Sequence, residues 1–141
     1  MRITLKESTD YQLIAWMDAQ LFPSDFPITR WDSTKWWVGY YKGVPVCYCG
    51  IIEVANIDFG YFNRAGVLPE AQGHGIQRKM IKKRIEYARK CGWTHVITDT
   101  SNDNVASMNN LIKCGFKTYL PQELWGNDST IYWIKGTERR R

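Results

Sequence analysis

Between residues 65 and 90 the chain changes its hydrophobic period across a loop with two glycines, Gln72-Gly73-His74-Gly75-Ile76-Gln77. Upstream lie short apolar runs with the look of strands. Downstream, Ile76, Met80, Ile81, Ile85 and Ala88 recur at helical spacing, which predicts an amphipathic helix with its cations on the opposite face. A strand–loop–helix junction of this kind leaves few options. The glycines let the backbone come close to a ligand, and the helix start presents unpaired N–H groups at the positive end of its dipole. Such a site suits a pyrophosphate. A glycine turn beside a solvated charged helix is the competing reading.

Charge points to the same place. The net charge is +5, yet residues 78–90 hold seven lysines and arginines against the single Glu86, a net +6. The tail Glu138-Arg139-Arg140-Arg141 adds +2, so the remainder is net negative. A nucleic-acid-binding module using helix 78–90 is therefore an alternative, not favoured, because the rest of the chain lacks a broad basic footprint.

Elsewhere the pattern alternates between strands and helices. Met1 to Lys6 reads as a strand, and Ser8-Thr9-Asp10 as the cap of a helix carrying Leu13, Ile14, Trp16, Met17 and Leu21, stopped by Pro23. An irregular stretch over 22–32 follows. Trp36 to Tyr41 and Val44 to Val54 flank Lys42-Gly43, a two-residue hairpin turn, with Pro45 suiting an edge or first strand position. A third strand is expected from Ile57 to Leu68. After the basic helix come a strand over 93–98, a helix capped by Asn102 or Asp103 and bearing Val105, Met108, Leu111 and Ile112, then strands from Phe116 and over 130–135. The order β-α-βββ-α-β-α-ββ describes an α/β (α+β) domain over residues 1–137, with a basic tail at 138–141.

At 141 residues with 44% hydrophobic content, one domain with a real core is expected. No apolar run approaches the roughly 20 residues that span a bilayer, and the amino terminus lacks a signal-peptide core. A cytoplasmic protein without membrane contact is the expectation. Cys47 and Cys49 would share one strand face, while Cys91 and Cys114 each precede a glycine. With only His74 and His95 as histidines, buried thiols are expected, not metal ligands.

Two phosphate motifs can be tested. No Gly-Lys-Ser/Thr follows the loop, so it is not a P-loop. Gly73 and Gly75 fit the dinucleotide fingerprint, and Asp99 lies at a plausible distance for a ribose contact, but Arg78 takes the place of the third glycine and no βαβ unit surrounds it.

The segment Val67-Leu68-Pro69-Glu70-Ala71-Gln72-Gly73-His74-Gly75-Ile76-Gln77 resembles the acetyl-CoA signature of the GNAT acetyltransferases, Q/R-x-x-G-x-G/A after a strand, with Gln77 replacing the last small residue. Asn104-Val105-Ala106-Ser107 and Lys113-Cys114-Gly115-Phe116 are similar to that family's N-x-x-A/S helix and K-x-G-F ending. The resemblance implies a GNAT-like mixed, largely antiparallel sheet of about six to seven strands with helices on both faces. It implies that the strands ending near Val67 and Thr98 splay apart, and that pantetheine enters the notch.

Backbone groups of Ala65 to Leu68, Val67 and Leu68 among them, would then hold pantetheine and polarise the thioester. The amides of Gly73, His74, Gly75, Ile76 and Gln77 would hold pyrophosphate behind Gln72, and Asn104 and Ser107 would contact the cofactor's arm. Acetyl-CoA would be the co-substrate, without a metal, and the acceptor a primary amine of a small molecule, peptide or protein. Monomer and homodimer both remain open. A family tyrosine that protonates the leaving sulfur falls here on Leu111, so Tyr119, a water or no acid at all would serve. This keeps a non-catalytic acyl-CoA binder as a further alternative.

For the general base, Asp58 and Asp99 are the candidates; each has a structural alternative, a strand end for Asp58 and hydrogen bonds to the following loop for Asp99. Exposure or a phosphate contact is expected of His74. Trp31 and Trp125, in irregular segments, are the aromatic candidates for an acceptor cleft.

Overall fold

A computed structural model describes residues 1–53 and 58–138 of the chain. Its centre is a hairpin, β2 (Thr34–Tyr41) and β3 (Val44–Glu53), closed by Lys42 and Gly43 at φ 48° and 80°. Those positive values define the primed turn that matches strand twist. Pro45 lies opposite Tyr40, where the register shifts, so its missing N–H falls at an irregularity of the ladder. Period-2 alternation sends Trp37, Cys47, Cys49 and Ile51 to one face and Trp36, Val38 and Tyr48 to the other. Both faces are covered, so β3 is buried almost throughout.

The covering elements follow in chain order. β1 (Thr4–Glu7) pairs with β2 and leads into α1 (Tyr11–Leu21), capped by Asp10, whose carboxylate accepts from Leu13 N at 3.1 Å. Ile14 and Met17 of α1 pack on Trp36, Val38 and Tyr48. α2 (Ile76–Lys90) and α3 (Val105–Lys113) lie on the opposite face, where Met80, Ile81, Ile85, Ala88 and Leu111 join Trp37, Val96 and Trp133. Each large side chain so buried contributes roughly 1.5–3 kcal/mol. β6 (His95–Ser101), β7 (Lys117–Thr118) and β8 (Thr130–Gly136) complete the sheet.

The run expected as one strand over 57–68 is divided, and Ile57 lies outside the described residues. β4 (Phe59–Tyr61) pairs antiparallel with β3 and parallel with β6, whereas β5 (Ala65–Val67) pairs with β3 alone. The path is β1-β2-β3-β4-β6-β8-β7, eight strands with β5 counted, in a mixed sheet with helices on both faces. The last ties between the halves are Phe62 N to Ile97 O at 3.0 Å and Thr98 Oγ1 to Phe62 O at 3.0 Å. Beyond them β5 follows β3 while β6 follows β8, and the sheet opens into a V with Phe62 and Thr98 at its apex.

The helices α2 and α3 end in the same way. Gly92 and Gly115 adopt φ 75° and 92°. Trp93 N reaches Ala88 O and Phe116 N reaches Leu111 O, each at 3.0 Å, while the glycine amides reach Arg89 O and Ile112 O. This is the Schellman pattern, and it turns the chain from each helix into the strand that follows.

Several expectations are corrected. Trp16, Val105 and Ile112, placed on apolar helix faces, are more than half exposed. The cap of α3 is Asn104, not Asn102 or Asp103; its Oδ1 accepts from Ser107 N at 3.2 Å. Cys47 and Cys49 are buried, and burial pushes their thiols up to about 12 and about 11, but Cys91 is exposed at the end of α2. Arg84, expected among the solvated cations, is buried. Among the described residues no helix is long and apolar enough to cross a membrane.

Candidate active site

The glycine loop has the conformation its sequence demands. Gly73 and Gly75 adopt φ 83° and 72°, the left-handed region in which a side chain is strained. Gly75 caps α2 without a side chain. The first bond back to it is Lys79 N to Gly75 O at 3.4 Å, leaving the amides of Ile76, Gln77 and Arg78 without intrahelical partners. Gln72 folds back so that its Nε2 donates to Val67 O at 3.0 Å, which fixes the loop on β5. His74 is exposed.

The register of β5 decides which backbone groups face the notch. Gly50 N bonds Arg64 O and Leu68 N bonds Val46 O, both at 2.9 Å, so the even-numbered residues turn to β3. In an antiparallel ladder the intervening residues point the other way. Ala65 and Val67 therefore turn their amides to the notch, with Val67 O already taken by Gln72. Leu68 is spent on β3, and its side chain packs on the α1 side.

A cleft of about 660 Å³ runs along this edge, walled by Val67, Gln72, Gly73, Gly75, Ile76, Gln77 and Arg78 on one side and by Asn104, Ser107 and Asn110 on the other. It thus gathers Val67, Gln72, Gly73, Gly75, Ile76, Gln77, Asn104 and Ser107 from among the expected cofactor residues and leaves out Leu68 and His74. A free helix start at one end and open strand amides along one wall fit a pyrophosphate with an amide-bearing arm.

At the apex of the V lies a second cavity of about 150 Å³, lined by Phe62, Ala65, Ile81, Arg84, Thr98, Asp99 and Leu111 and sharing Gln77, Ser107 and Asn110 with the first. The Asp99 carboxylate accepts from the Tyr61 hydroxyl and from Trp125 Nε1, the latter at 2.8 Å. Trp125 stands edge-on to Tyr61 and Tyr132, at 5.9 and 4.6 Å between centroids. Burial first, and then the charge of Asp99, push the Tyr61 phenol up, so it remains a donor. These bonds replace the loop contacts expected as the structural role of Asp99. Asp58 is not brought here. It is exposed at the start of β4, and its carbonyl accepts from Thr94 beside His95, at the end of β6 remote from Asp99.

The sequence matches the model of the acetyltransferase (GNAT) family over residues 4–116. The chain belongs to the GNAT family. It is accordingly an acyltransferase, and solved structures share its fold. The ribosomal-protein-S18-alanine N-acetyltransferase of Escherichia coli superposes with a TM-score of 0.76 at 14% identity, over 99% of this chain and 97% of that one. Spermidine N-acetyltransferase of Vibrio cholerae, solved with CoA and spermine, gives 0.74 at 15% identity, over 96% and 95%. N-acetylglutamate synthase of Neisseria gonorrhoeae, solved with coenzyme A and N-acetyl-glutamate, gives 0.79 at 17% identity, over 99% of this chain and 36% of that one. No curated protein sequence matches the chain significantly.

Within this GNAT domain, three features escaped the sequence. Asn110 joins the two cavities; its spacing of three from Ser107, itself three from Asn104, was the available signal. Tyr61 reaches Asp99 only because β4 and β6 are neighbours. Arg64 lies in the β4–β5 break and pairs with buried Asp18 of α1 through Nε and Nη2, each at 3.2 Å, while another bond reaches Phe26 O. Tyr48 donates to the same carboxylate at 2.5 Å, and burial and that charge push its phenol up. Arg64 thus fastens the segment after α1 beside the notch. Trp31 packs at a tilt between Tyr11 and Trp36 and lines a separate cleft of about 460 Å³, which shares no residue with the cavity at Asp99.

Proposed function

We propose that this GNAT domain transfers the acetyl group of acetyl-CoA to a primary amine by direct attack on the thioester. One observation carries the reading: the cleft ending on the free amides of α2 and the cavity ending on Asp99 meet at Gln77, Ser107 and Asn110. The amides of Gly73 to Gln77, extended by that of Arg78, hold the pyrophosphate, and the Ala65 and Val67 amides, unused by β3, align the arm. The Ala65 N–H, unused by β3, polarises the thioester carbonyl. The co-substrate supplies an activated acyl group with a thiol leaving group whose pKa is about 8.5.

Asp99 takes the proton that the amine must lose. Tyr61 and Trp125 hold its carboxylate in place, and the faces of Trp125 and Tyr132 suit an ammonium on its way to that carboxylate. An alanine of ribosomal protein S18 and spermidine, the acceptors named for structural neighbours, fit an amine acceptor of this kind. Acetyl-CoA should raise the melting temperature by ligand linkage, and NAD should not. CoA release across a panel of amines, with mass spectrometry of the products, tests the transfer. Binding without any acetylated amine would replace this reading by a non-catalytic acyl-CoA binder.

A further inference from the structure

Arg84 departs from the rest of its helix. Four residues after Met80 and three after Ile81, it lies on the apolar stripe of α2 and is 3% exposed. Its Nε donates to Met80 O at 3.2 Å and its Nη1 to Gly50 O at 3.4 Å, with Cζ 4.0 Å from the centroid of Phe62. Among the described residues it makes no ion pair and Nη2 has no hydrogen-bond partner. The ionisable groups acting on it are the Cys49 and Cys114 thiols, both pushed up by burial and therefore neutral at physiological pH. Burial lowers the Arg84 pKa, yet a guanidinium keeps its proton in proteins. A fixed positive charge thus sits in the interior without a counter-charge, an arrangement whose desolvation is costly.

Its position gives that cost a use. Arg84 lines the cavity at the apex of the V, between Phe62, Ile81 and Leu111. The long cleft begins at the α2 amides and ends there, so the thiol end of the co-substrate reaches this cavity. In the proposed transfer the amine lone pair forms the C–N bond, the C–S bond breaks and its electron pair leaves on sulfur. The amine proton goes to Asp99. Leu111 offers the sulfur no proton, so the charge on it needs an electrostatic partner. Arg84 itself is shut away from solvent, which leaves its charge poorly screened.

We propose that Arg84 stabilises the departing thiolate of the co-substrate, as the buried cation at the sulfur site. This rests on the proposed function for the presence of CoA but is separable from it. The other charged or titratable groups around the cavity are Asp99 on β6, Cys49 on β3, Cys114 after α3, Lys82 and Lys83 on α2, and Arg64, whose charge Asp18 matches.

The test compares CoA with desulfo-CoA by calorimetry from pH 6.5 to 9.5, so that every other titration cancels in the ratio of affinities. For the native chain that ratio should rise about tenfold in favour of CoA for each unit by which bound thiol falls below its solution pKa of about 8.5. Arg84→Lys should keep most of the rise. Arg84→Met should abolish it and leave desulfo-CoA affinity unchanged. A flat ratio in the native chain would overturn the role of Arg84 whether or not the variants fold, and so would a rise that survives in Arg84→Met. If neither ligand binds, the cofactor reading itself fails. If succinyl-CoA binds the native chain more tightly than acetyl-CoA and Arg84→Met removes that preference, the guanidinium serves an acyl carboxylate and the sulfur assignment is overturned.

Discussion

The two arms of the notch are made of different material. Along β5 and the start of α2 the groups assigned to the proposed transfer are backbone amides, freed by the left-handed glycines Gly73 and Gly75 and by a strand that has lost one neighbour. Along β6 the working groups are side chains. Asp99 is held by Tyr61 from β4 and by Trp125 from the loop before β8. A backbone site tolerates varied side chains but not a changed backbone conformation; a side-chain site behaves in the opposite way. In the proposed transfer the donor arm is thus suited to one co-substrate, and the acceptor arm is where a change of amine would be accommodated.

The largest expected effect falls on the acceptor arm. Asp99→Asn should lower kcat by roughly 10²–10⁴-fold, the usual contribution of a general base, while the thermal shift given by acetyl-CoA is unchanged. A kcat within a few-fold of the native value would remove Asp99 from the chemistry; a lost thermal shift would mean that the two arms are not separable.

Next is Asp18→Ala, which removes the buried partner of Arg64, leaving it only the longer pair with exposed Asp25 at 3.9 Å, and leaves the Tyr48 hydroxyl without its acceptor. Breaking a buried pair of this kind costs about 3 kcal/mol, read by denaturant unfolding. A loss below about 1 kcal/mol would show that Arg64 does not fasten the segment after α1.

On the donor arm, Gly75→Val should abolish the acetyl-CoA thermal shift and cost about 1–2 kcal/mol from the left-handed backbone alone. Retention of the shift would take the loop out of the site.

Between the arms, Arg84→Met should leave the melting temperature unchanged or raise it, because an unpaired buried charge is replaced by an apolar chain of similar length. A clear fall would make Arg84 a structural residue.

The smallest effect lies away from the notch. His95 stacks on Phe59 with centroids 5.0 Å apart, and burial lowers its pKa from the ordinary 6.5, partly offset by Asp58. The unfolded chain takes up that proton first as pH falls. Stability present above pH 6.5 should therefore decline slightly as pH drops through this value and the lower folded one. His95→Phe should flatten the decline, and an identical slope in that variant would assign it elsewhere.

Sequence alone determined the parts whose physics is local. The Lys42-Gly43 turn, the Schellman endings at Gly92 and Gly115, the period of α2 and the two-glycine loop all depend on backbone dihedrals or helical spacing within a few residues. They were legible for that reason, and eight of the residues expected at the cofactor line one cleft. Tertiary structure decided the rest. The break between β4 and β5 depends on which neighbour each pairs with, and a run of residues does not carry that choice. Asp99 meets Tyr61 and Trp125 across large sequence separations, and Asp58 ends up remote from it. Arg84 belongs to both classes. Its place on the apolar stripe could be read from spacing, but only the V of the sheet shows that the buried charge faces a cavity, because the cavity exists where two strands part.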